Sequence, residues 1–335
     1  MTEQRMSMRE ALNLALDHAL ETDPRVFLLG EDIADPGATG PTAGLSSKHG
    51  HDRVLDTPIS EAAIVGAAVG AAIEGMLPVA EIMIMDFIGL AADQLINNAA
   101  KLRFMTAGRT TAPLTIRTQV YGGLATGATH SQSLEAWFMH VPGLKVIVPS
   151  TPRDAKGLLT SAIFDPDPCL FIETIRLQGI KGPVPADPGF SIPLGRIDIK
   201  RPGTDVSLIA YGRGVHDALA AAETLAAEHG VSAEVVDLRT LVPLDVDGLV
   251  ESVGRTRRAV IAHHAVQFAG PGAEVAAILH AQLFGRLEAP VERVGGSFVP
   301  TPAAAELEAA ALPTPQRVVD AALRTLRPAE SSSRG

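Results

Sequence analysis

The sequence predicts an α/β protein of two domains, each built on a mostly parallel sheet with helices on both faces. Apolar strand-like runs alternate with helical patterns along the chain, which is typical of such sheets. The chain has 335 residues, more than the roughly 250–300 at which a single core stops growing. The alternation pauses at a stretch rich in Gly and Pro, residues 181–203, and then starts again. This stretch is therefore predicted to be an interdomain linker.

Residues 1–180 form the larger predicted domain. Its expected helices are Met8–Leu20, Ala62–Ile73, Leu90–Met105 and one that starts at Thr151. Its expected strands are Val26–Gly30, Val79–Met85, Pro113–Thr118, Leu144–Val148 and Pro168–Glu173. Leu90–Met105 is predicted to be amphipathic because Ala91, Leu95, Ala99 and Leu102 share one face. Thr151 is a suitable N-cap, since Pro152 follows at the first helical position.

Residues 204–328 form the smaller predicted domain, in which the same alternation continues. Its expected strands are Val206–Tyr211, Ala233–Leu238, Ala259–His263 and Val291–Val294. Its expected helices are Val215–His229, Val246–Val253, Gly272–Phe284 and Pro315–Leu326. The tail, residues 329–335, is predicted to be disordered.

Composition excludes several classes of protein. The formal net charge is -10, which argues against a nucleic-acid-binding protein because such proteins need a basic face. The most apolar stretch, Ala62–Ile73, is too short to cross a bilayer, which needs about 20 residues. There is no apolar segment typical of a signal peptide at the N-terminus. Cys169 is the only cysteine, so no intramolecular disulfide can form and we expect a cytoplasmic protein.

Common nucleotide and metal motifs are absent from the sequence. No Gly-x-Gly-x-x-Gly follows a strand, so an NAD-binding oxidoreductase is not supported. No P-loop, no serine-hydrolase elbow and no His-Glu-x-x-His occurs. His263 and His264 are adjacent on a predicted strand, where neighbouring side chains point to opposite faces and would not share a metal.

Three segments remain as candidates for chemistry. In the first, Asp56–Glu61, Ser60 is a plausible N-cap and Glu61 opens an apolar helix, whose dry surroundings suit a carboxyl group that holds a proton. In the second, Gly122–Ser133, a glycine-rich loop leads to a predicted helix start at His130, a group suited to proton transfer near neutral pH. The third places Asp86 and Phe87, and more weakly Glu31, after strands, where α/β sheets bind ligands.

These segments, in this order, resemble the beta subunits of thiamine-diphosphate-dependent 2-oxo acid dehydrogenases, the transketolase-like group that includes the pyruvate, branched-chain and acetoin enzymes. The similarity runs from about Arg5 to Arg327 and is most specific at Asp56–Glu61 and His130–Leu159. GED at Gly30–Asp32 and DQLINNAAKLRF at Asp93–Phe104 match, and so do four further stretches. They are RVLDTPISEAAIVGAAVGAA at Arg53–Ala72, PVAEIMIMDF at Pro78–Phe87, THSQSLEAWFMHVPGLKVIVPSTPRDAKGLL at Thr129–Leu159 and DLRTLVPLD at Asp237–Asp245. The resemblance implies a pyrimidine-binding domain followed by a transketolase C-terminal domain.

The resemblance also implies roles for individual residues. Glu61 corresponds to the glutamate that hydrogen-bonds N1′ of the aminopyrimidine, and thereby helps the cofactor to lose its C2 proton. His130 corresponds to a histidine near the reacting centre that helps hold the substrate or the lipoyl acceptor. Phe87, Ile59 and Met83 match positions beside the pyrimidine, and Glu31 is expected to join them.

Metal sites and partners follow from the same resemblance. A potassium site of relatives falls on a set of backbone carbonyls and carboxylates: Leu114, Ala162, Ile163, Asp165 and Asp167. Asp167 stands where an asparagine is common, and His264 stands where a glutamate is usual. No Gly-Asp-Gly occurs in the chain, so the Mg²⁺ that holds the diphosphate is expected on an alpha subunit. The chain is thus expected in an alpha2beta2 heterotetramer that serves a lipoyl-bearing acyltransferase.

Alternative functions stay open at this point. Oxidative decarboxylation of pyruvate, or next of a branched-chain 2-oxo acid, is the leading hypothesis. Residues 86–105 resemble the acetoin type slightly more, whereas residues 130–149 resemble the pyruvate and branched-chain types. A non-catalytic assembly subunit is the alternative from another class, and the presence of both Glu61 and His130 argues against it.

Overall fold

The computed structural model describes residues 2–34 and 40–327, so the predicted disordered tail lies outside the described residues. The chain divides into two compact units. The first comprises the chain up to Gly195 with Arg239–Pro243 and Pro300–Ala305, and the second comprises Arg196–Leu238, Leu244–Val299 and the chain from Glu306 onward. Within the described residues no helix is long and apolar enough to cross a membrane.

The first unit is built on a seven-stranded sheet. Its strands are β2 (Val26–Gly30), β3 (Val54–Asp56), β4 (Leu77–Ile82), β5 (Thr115–Val120), β6 (Lys145–Ile147), β7 (Cys169–Thr174) and β12 (Thr240–Val242). They lie in the order β12-β6-β7-β5-β4-β2-β3, and only the edge strand β12 is antiparallel to its neighbour. A separate antiparallel pair joins β1 (Glu3–Ser7) to β8 (Lys181–Pro185).

Among the described residues of this unit, six α-helices accompany the sheet: α1 (Met8–Thr22), α2 (Leu45–His49), α3 (Glu61–Ile73), α4 (Ala100–Met105), α5 (Glu135–Met139) and α6 (Pro152–Ile163). Helices α1 and α6 pack on the face that carries Leu28, Val79 and Phe171. The next residues along these strands point to the opposite face and are buried as well. Burial on both faces explains why the strands read as continuous apolar runs.

The second unit has a five-stranded sheet in the order β14-β13-β10-β11-β9. Its strands are β9 (Asp198–Arg201), β10 (Val206–Ala210), β11 (Ala233–Asp237), β13 (Ala259–Val266) and β14 (Glu292–Gly296). Its helices are α7 (Arg213–His229), α8 (Val246–Thr256), α9 (Pro271–Gln282), α10 (Ala305–Ala311) and α11 (Pro315–Leu326). The buried core cluster consists of Val, Leu and Ala alone, as expected from a chain with 4% aromatic residues.

Most predicted elements are confirmed, with small shifts at their ends. The predicted helix Leu90–Met105 is wrong as a single α-helix, because it divides into a 3₁₀ helix at Met85–Ala91, a π-helix at Gln94–Ala99 and helix α4. Asp93 accepts from the side chain of Asn97, and its carbonyl accepts from the side chain of Asn98. These polar groups compete with the regular backbone ladder. Of the four residues predicted to share a face, Ala91, Leu95 and Ala99 are buried and Leu102 is half-buried.

The predicted linker, residues 181–203, contains ordered segments. Its first residues form β8, and Asp198–Arg201 forms β9, which pairs antiparallel with β11. The division between the two compact units falls between Gly195 and Arg196. The predicted domain boundaries at 180 and 204 stay a prediction.

The His263-His264 doublet is divided between two environments on β13. His263 is fully buried, and its Nδ1 lies 3.0 Å from the carbonyl of Ala265. Its ring stacks on Tyr211 with ring centres 5.9 Å apart. His264, on the opposite side of the strand, places Nε2 2.6 Å from the Asp217 carboxylate. Burial lowers the pKa of His263 to about 4, so this imidazole is neutral near pH 7.

Acid stability of the second unit should depend on His263. The pKa rises to about 6.5 on unfolding, so the stabilisation is complete above pH 6.5 and is lost as the pH falls towards 4. The loss in free energy of unfolding should reach about 3 kcal/mol. We expect His263→Asn to flatten this pH dependence, whereas His229→Asn, at an exposed site, should leave it unchanged. Urea unfolding between pH 7.5 and 4.5 measures both, and an unchanged slope in His263→Asn would contradict the assignment.

Candidate active site at the carboxyl edge of the seven-stranded sheet

Four neighbouring parallel strands bring the predicted site residues to one edge of the first unit. Glu31 follows β2, Glu61 follows β3, Met83–Phe87 follows β4 and His130 lies in the segment after β5. These strands are adjacent in the order β5-β4-β2-β3, so their carboxyl ends lie side by side. Ligands of open α/β sheets bind at this edge.

Glu61 is the first residue of α3 and is only 6% exposed. Among the residues that the structure describes, none hydrogen-bonds to its carboxylate. Ser60 occupies the N-cap position, as predicted, but its side chain makes no capping hydrogen bond. Its backbone is far from the geometry that directs a serine oxygen onto the first turn, with φ -162° and ψ 82°. The buried carboxyl group is therefore available to a bound molecule.

Glu31 lies close enough to Glu61 for the two carboxyl groups to influence each other. Burial raises the pKa of Glu31, and the negative charges of Glu61 and Asp32 raise it further. The Glu31 carboxyl group, with its raised pKa, therefore retains a proton more readily than an exposed glutamate does.

Asp56 orders the chain that carries Glu31. Its Oδ1 accepts hydrogen bonds from the backbone N–H groups of Ile33, at 2.8 Å, and Ala34, at 2.7 Å. The N–H of Thr57 donates to the carbonyl of Gly30 at 2.9 Å. Asp56 belongs to the candidate segment Asp56–Glu61, but its sequence context indicates no role for it. The role follows from the pairing of β2 with β3, which the sequence alone does not predict.

Phe87 and His130 are in direct contact. Their rings meet edge to face, with centroids 5.3 Å apart and planes at 82°. Phe87 lies in the 3₁₀ helix rather than at the strand end itself, since β4 ends at Ile82. Met83 and Phe87 are half-buried, whereas Ile59 is 79% exposed. The edge thus offers an aromatic ring and a thioether beside a buried carboxyl group.

The segment around His130 is a loop, and the prediction that a helix starts there is wrong. The next helix, α5, begins at Glu135. Thr126 Oγ1 donates to the carbonyl of His130 at 3.0 Å and lies 2.6 Å from Ser131 Oγ. The imidazole Nδ1 lies 3.0 Å from Thr129 Oγ1. Side-chain bonds of this kind replace the helical ladder.

A buried ion network, which no pattern in the sequence predicts, crosses the sheet near this edge. Arg117 donates to Glu173 at 2.8 Å and to Glu81 at 2.6 Å. Gln178 donates to the second oxygen of Glu173 at 2.5 Å. Burial alone would lower the pKa of Arg117, but the two carboxylates outweigh it and raise the pKa. The three charges lie on three different strands, β4, β5 and β7, so only the order of the strands in the sheet shows that they meet.

The predicted potassium ligands lie where α6 ends and β7 begins, and the chain already supplies donors to several of them. The carbonyl of Leu114 accepts from the N–H of Cys169, and that of Ala162 accepts from Asp165. Ile163 is the last residue of α6. Both carboxylate oxygens of Asp165 lie 2.6 Å from Nζ of Lys145.

Asp167 is engaged in the same way, because its carboxylate accepts from Arg103 at 2.5 Å. A potassium ion would compete with the ammonium group of Lys145 for Asp165. The residues in this arrangement do not fit the ion, and the potassium site stays a prediction with no part in the reaction below.

Family comparisons agree with the fold. Residues 4–178 match the transketolase pyrimidine-binding domain, and residues 195–318 match the transketolase C-terminal domain. A solved structure described as a split-gene transketolase, an inactive beta4 tetramer, is similar with a TM-score of 0.78. The two chains are 25% identical, with 96% of this chain and 98% of the other covered. The matches define a transketolase-like α/β protein, as predicted.

Full-length relatives identify the family more closely. The chain is 45% identical to the beta subunit of acetoin:2,6-dichlorophenolindophenol oxidoreductase of Cupriavidus necator, over 97% of this chain and 98% of the relative. It is 45% identical to a mitochondrial pyruvate dehydrogenase E1 beta subunit of Oryza sativa subsp. japonica, over 95% and 86%. It is 43% identical to the 2-oxoisovalerate dehydrogenase beta subunit of Bacillus subtilis, over 96% and 98%. The chain belongs to this family, the E1 beta subunits of 2-oxo acid and acetoin dehydrogenases.

Proposed function

We propose that the chain supplies the pyrimidine half of a thiamine diphosphate site in an enzyme that oxidatively decarboxylates a 2-oxo acid. The acyl group passes to a lipoyl group, and pyruvate is the first substrate to test, followed by branched-chain 2-oxo acids. One observation carries the proposal. A buried carboxyl group, Glu61, has no hydrogen bond from the described chain and opens a helix at the sheet edge where Phe87 and His130 meet.

The described residues fit the aminopyrimidine half of thiamine diphosphate. The cofactor, when bound, supplies a nucleophilic carbon and an electron sink for decarboxylation. Glu61 holds a proton at N1′, and the neighbouring Glu31, with its raised pKa, favours a shared proton there. Phe87, Met83 and Ile59 would hold the aminopyrimidine ring. His130, in contact with Phe87, binds the substrate or the lipoyl acceptor and moves a proton near the reacting atoms.

An alpha subunit completes the site in this proposal. Several large apolar side chains of the first unit are exposed, which is typical of surfaces that another chain covers: Ile59, Leu90, Phe104, Met105 and Trp137. The alpha chain would hold Mg²⁺ and the diphosphate in an alpha2beta2 heterotetramer. A lipoyl-bearing acyltransferase would accept the acyl group. We place this assembly in the cytoplasm.

Acetoin is the second candidate substrate. The observation that favours it is 45% identity to the Cupriavidus necator beta subunit, and 43% to the one of Bacillus subtilis. The same carboxyl group and histidine would serve either substrate, since both substrates present a carbonyl group to the site. The choice between them depends on the pocket that the alpha chain completes.

A mixing experiment tests the proposal. The chain is combined with its alpha partner, thiamine diphosphate and Mg²⁺, and reduction of dichlorophenolindophenol is followed with pyruvate, 3-methyl-2-oxobutanoate and acetoin in parallel. Each chain alone serves as the control. We expect turnover only in the mixture, and the preferred substrate assigns the enzyme. A well-formed tetramer that turns over none of them would favour the non-catalytic assembly subunit.

His130→Ala should separate catalysis from assembly. We expect reductive acylation of a lipoyl domain to fall by about 10²-fold, in the range of a lost proton-transfer group. Tetramer stability should change little, because the described contacts of the imidazole are the Phe87 ring and Thr129. His140→Ala, at the exposed end of α5, is the matched control. Stopped-flow acylation and analytical ultracentrifugation measure the two effects, and dissociation of the tetramer would indicate a structural histidine instead.

A further inference from the structure

Asp86 makes a three-bond contact with Gln132 across the site. The side-chain Nε2 of Gln132 donates to Asp86 Oδ1 at 2.8 Å. The backbone N–H of Gln132 donates to Oδ2 at 3.2 Å and lies 3.4 Å from Oδ1. The two residues are 46 positions apart in sequence, so this contact ties the His130 loop to the segment after β4.

The loop needs such anchors because its own backbone is irregular. Gly123, Ala125 and Gly127 have φ values of 90°, 56° and 85°, in the left-handed region. No strand or helix is formed between the end of β5 and the start of α5. Backbone that lacks a regular ladder depends on side-chain bonds for its position. Thr126 provides one anchor, on the amino-terminal side of His130, and Asp86 provides another on the carboxyl-terminal side.

The same 3₁₀ turn also carries the ring that His130 contacts. Asp86 is followed directly by Phe87, and both belong to the turn Met85–Ala91. Met85, the first residue of the turn, receives the N–H of Leu134 on its sulfur at 3.5 Å. Asp86 and Met85 therefore both hold the loop on the carboxyl-terminal side of His130, close to the edge-to-face ring contact. A shift of this turn would move the ring and the imidazole together.

We propose that Asp86 is a positioning residue that holds His130 against the ring of Phe87 through its hydrogen bonds to Gln132. This inference rests on the proposed function of the site, because His130 is assigned there to the lipoyl acceptor or substrate. Catalysis is sensitive to the position of such a side chain, since a displacement of about 1 Å can lower a rate by roughly 10²-fold. Asp86 touches no reacting atom and acts only through the loop.

Two variants of Asp86 separate the loss of its hydrogen-bond acceptors from the loss of its negative charge. Asp86→Asn keeps one oxygen for the Gln132 donors, whereas Asp86→Ala removes all three bonds. We expect lipoyl-domain acylation to fall by about 10-fold in Asp86→Ala and by less than about 3-fold in Asp86→Asn. Asp187→Ala is the matched control, because Asp187 also accepts a backbone N–H within a loop, that of Gly189, outside the site. It should acylate at the wild-type rate.

A double-mutant cycle tests whether Asp86 acts through His130. The tetramer is assembled with each single variant and with Asp86→Ala/His130→Ala, and acylation is measured with the substrate that the wild type prefers. If Asp86 only positions the imidazole, the double variant should be as active as His130→Ala, within about 2-fold. Independent losses that multiply in the double variant would overturn the proposal, because Asp86 would then act without His130.

Hydrogen exchange gives a readout that needs no activity. In the wild-type tetramer the N–H of Gln132 should be protected, and in Asp86→Ala it should exchange at least about 10-fold faster, while amides of β5 stay unchanged. Unchanged exchange at Gln132 would contradict the contact. An inactive wild-type tetramer would refute the proposed function instead, and the exchange measurement would still decide whether Asp86 holds the loop.

Discussion

Glu61→Gln is expected to abolish turnover of the assembled enzyme while leaving the alpha–beta tetramer intact. The variant keeps the size and hydrogen-bonding shape of the side chain but removes the group that can hold a proton at N1′. We expect a decrease in kcat of between about 10² and 10⁴, the usual contribution of a positioned proton-transfer group. Both the dichlorophenolindophenol assay and lipoyl acylation should fall together, because both follow activation of the cofactor.

The position of Glu61 explains why folding should tolerate the change. A negative charge in the first turn of a helix stabilises it by only about 0.3–1 kcal/mol. No described residue hydrogen-bonds to the carboxylate, so no donor loses its acceptor when the charge is removed. Loss of the nearby charge should also lower the pKa of Glu31, since Glu61 is one of the groups that raise it.

The measurement compares kcat, tetramer mass and thiamine diphosphate binding for the variant and a control at the other end of the same helix. Glu74→Gln changes an exposed glutamate that follows α3 and should behave as wild type. Full activity in Glu61→Gln would refute the role assigned to this carboxyl group. A variant that fails to assemble would point to a structural role at the start of α3.

Arg117→Met is expected to destabilise the first unit by about 3–5 kcal/mol, the usual loss when one member of a buried ion network is removed. Arg117 is 1% exposed, and its guanidinium serves both Glu81 and Glu173. Methionine fills a similar volume but leaves two carboxylates in contact with an apolar group. Glu173 is completely buried. Without Arg117, the free-energy cost of keeping its carboxylate away from water is no longer offset by a positive charge.

The effect of Arg117→Met should depend on pH. Burial raises the pKa of Glu173, and Arg117 opposes that shift, so the variant should raise it further. A folded-state pKa above the unfolded value means that stability is greater where the group is protonated and decreases as the pH rises through that pKa. The loss should therefore be smaller near pH 5 than near pH 8. Urea unfolding followed by far-ultraviolet circular dichroism measures both values.

Arg103→Met provides the control for this prediction. Arg103 also binds a carboxylate, that of Asp167 at 2.5 Å, but it is largely exposed. Exposed ion pairs contribute only about 0–1 kcal/mol. Two results would show that the buried network does not stabilise the sheet in this way. One is a similar loss in free energy of unfolding for both variants. The other is a loss for Arg117→Met that does not change between pH 5 and pH 8.

Periodic apolar patterns were sufficient to predict most of the sheet and its helices. Val26–Gly30 and Pro315–Leu326 were predicted with the bounds that the structure has. The three-residue strand β3 and the five-residue helix α5 were missed, because each is too short for its own period to repeat. The π-helix was missed because its amide side chains bond to one another, and a helical period does not reveal that competition.

The sequence was sufficient to predict which segments form the site, but not which of their residues are in contact. Glu61 and His130 were identified by their local surroundings and by resemblance, and the contact between His130 and Phe87 follows only from the order of four strands. Asp56 and Asp86 act through backbone groups far away in sequence. Nothing in a single sequence marks which distant N–H a carboxylate will meet, so such positioning residues require the fold.

Strand β12 restricts how the chain can be cut into pieces. Thr240–Val242 completes the first sheet beside β6, although most of the sequence around it builds the second one. The preceding Arg239 binds the fully buried Asp154 through two nitrogens at 2.8 Å. A fragment that stops at the linker would lose this guanidinium and leave β6 as an open edge, which invites association with other strands. Dissection of the gene into two independent modules should therefore yield an insoluble first half, and reconstitution would need residues 239–243 to be restored to it.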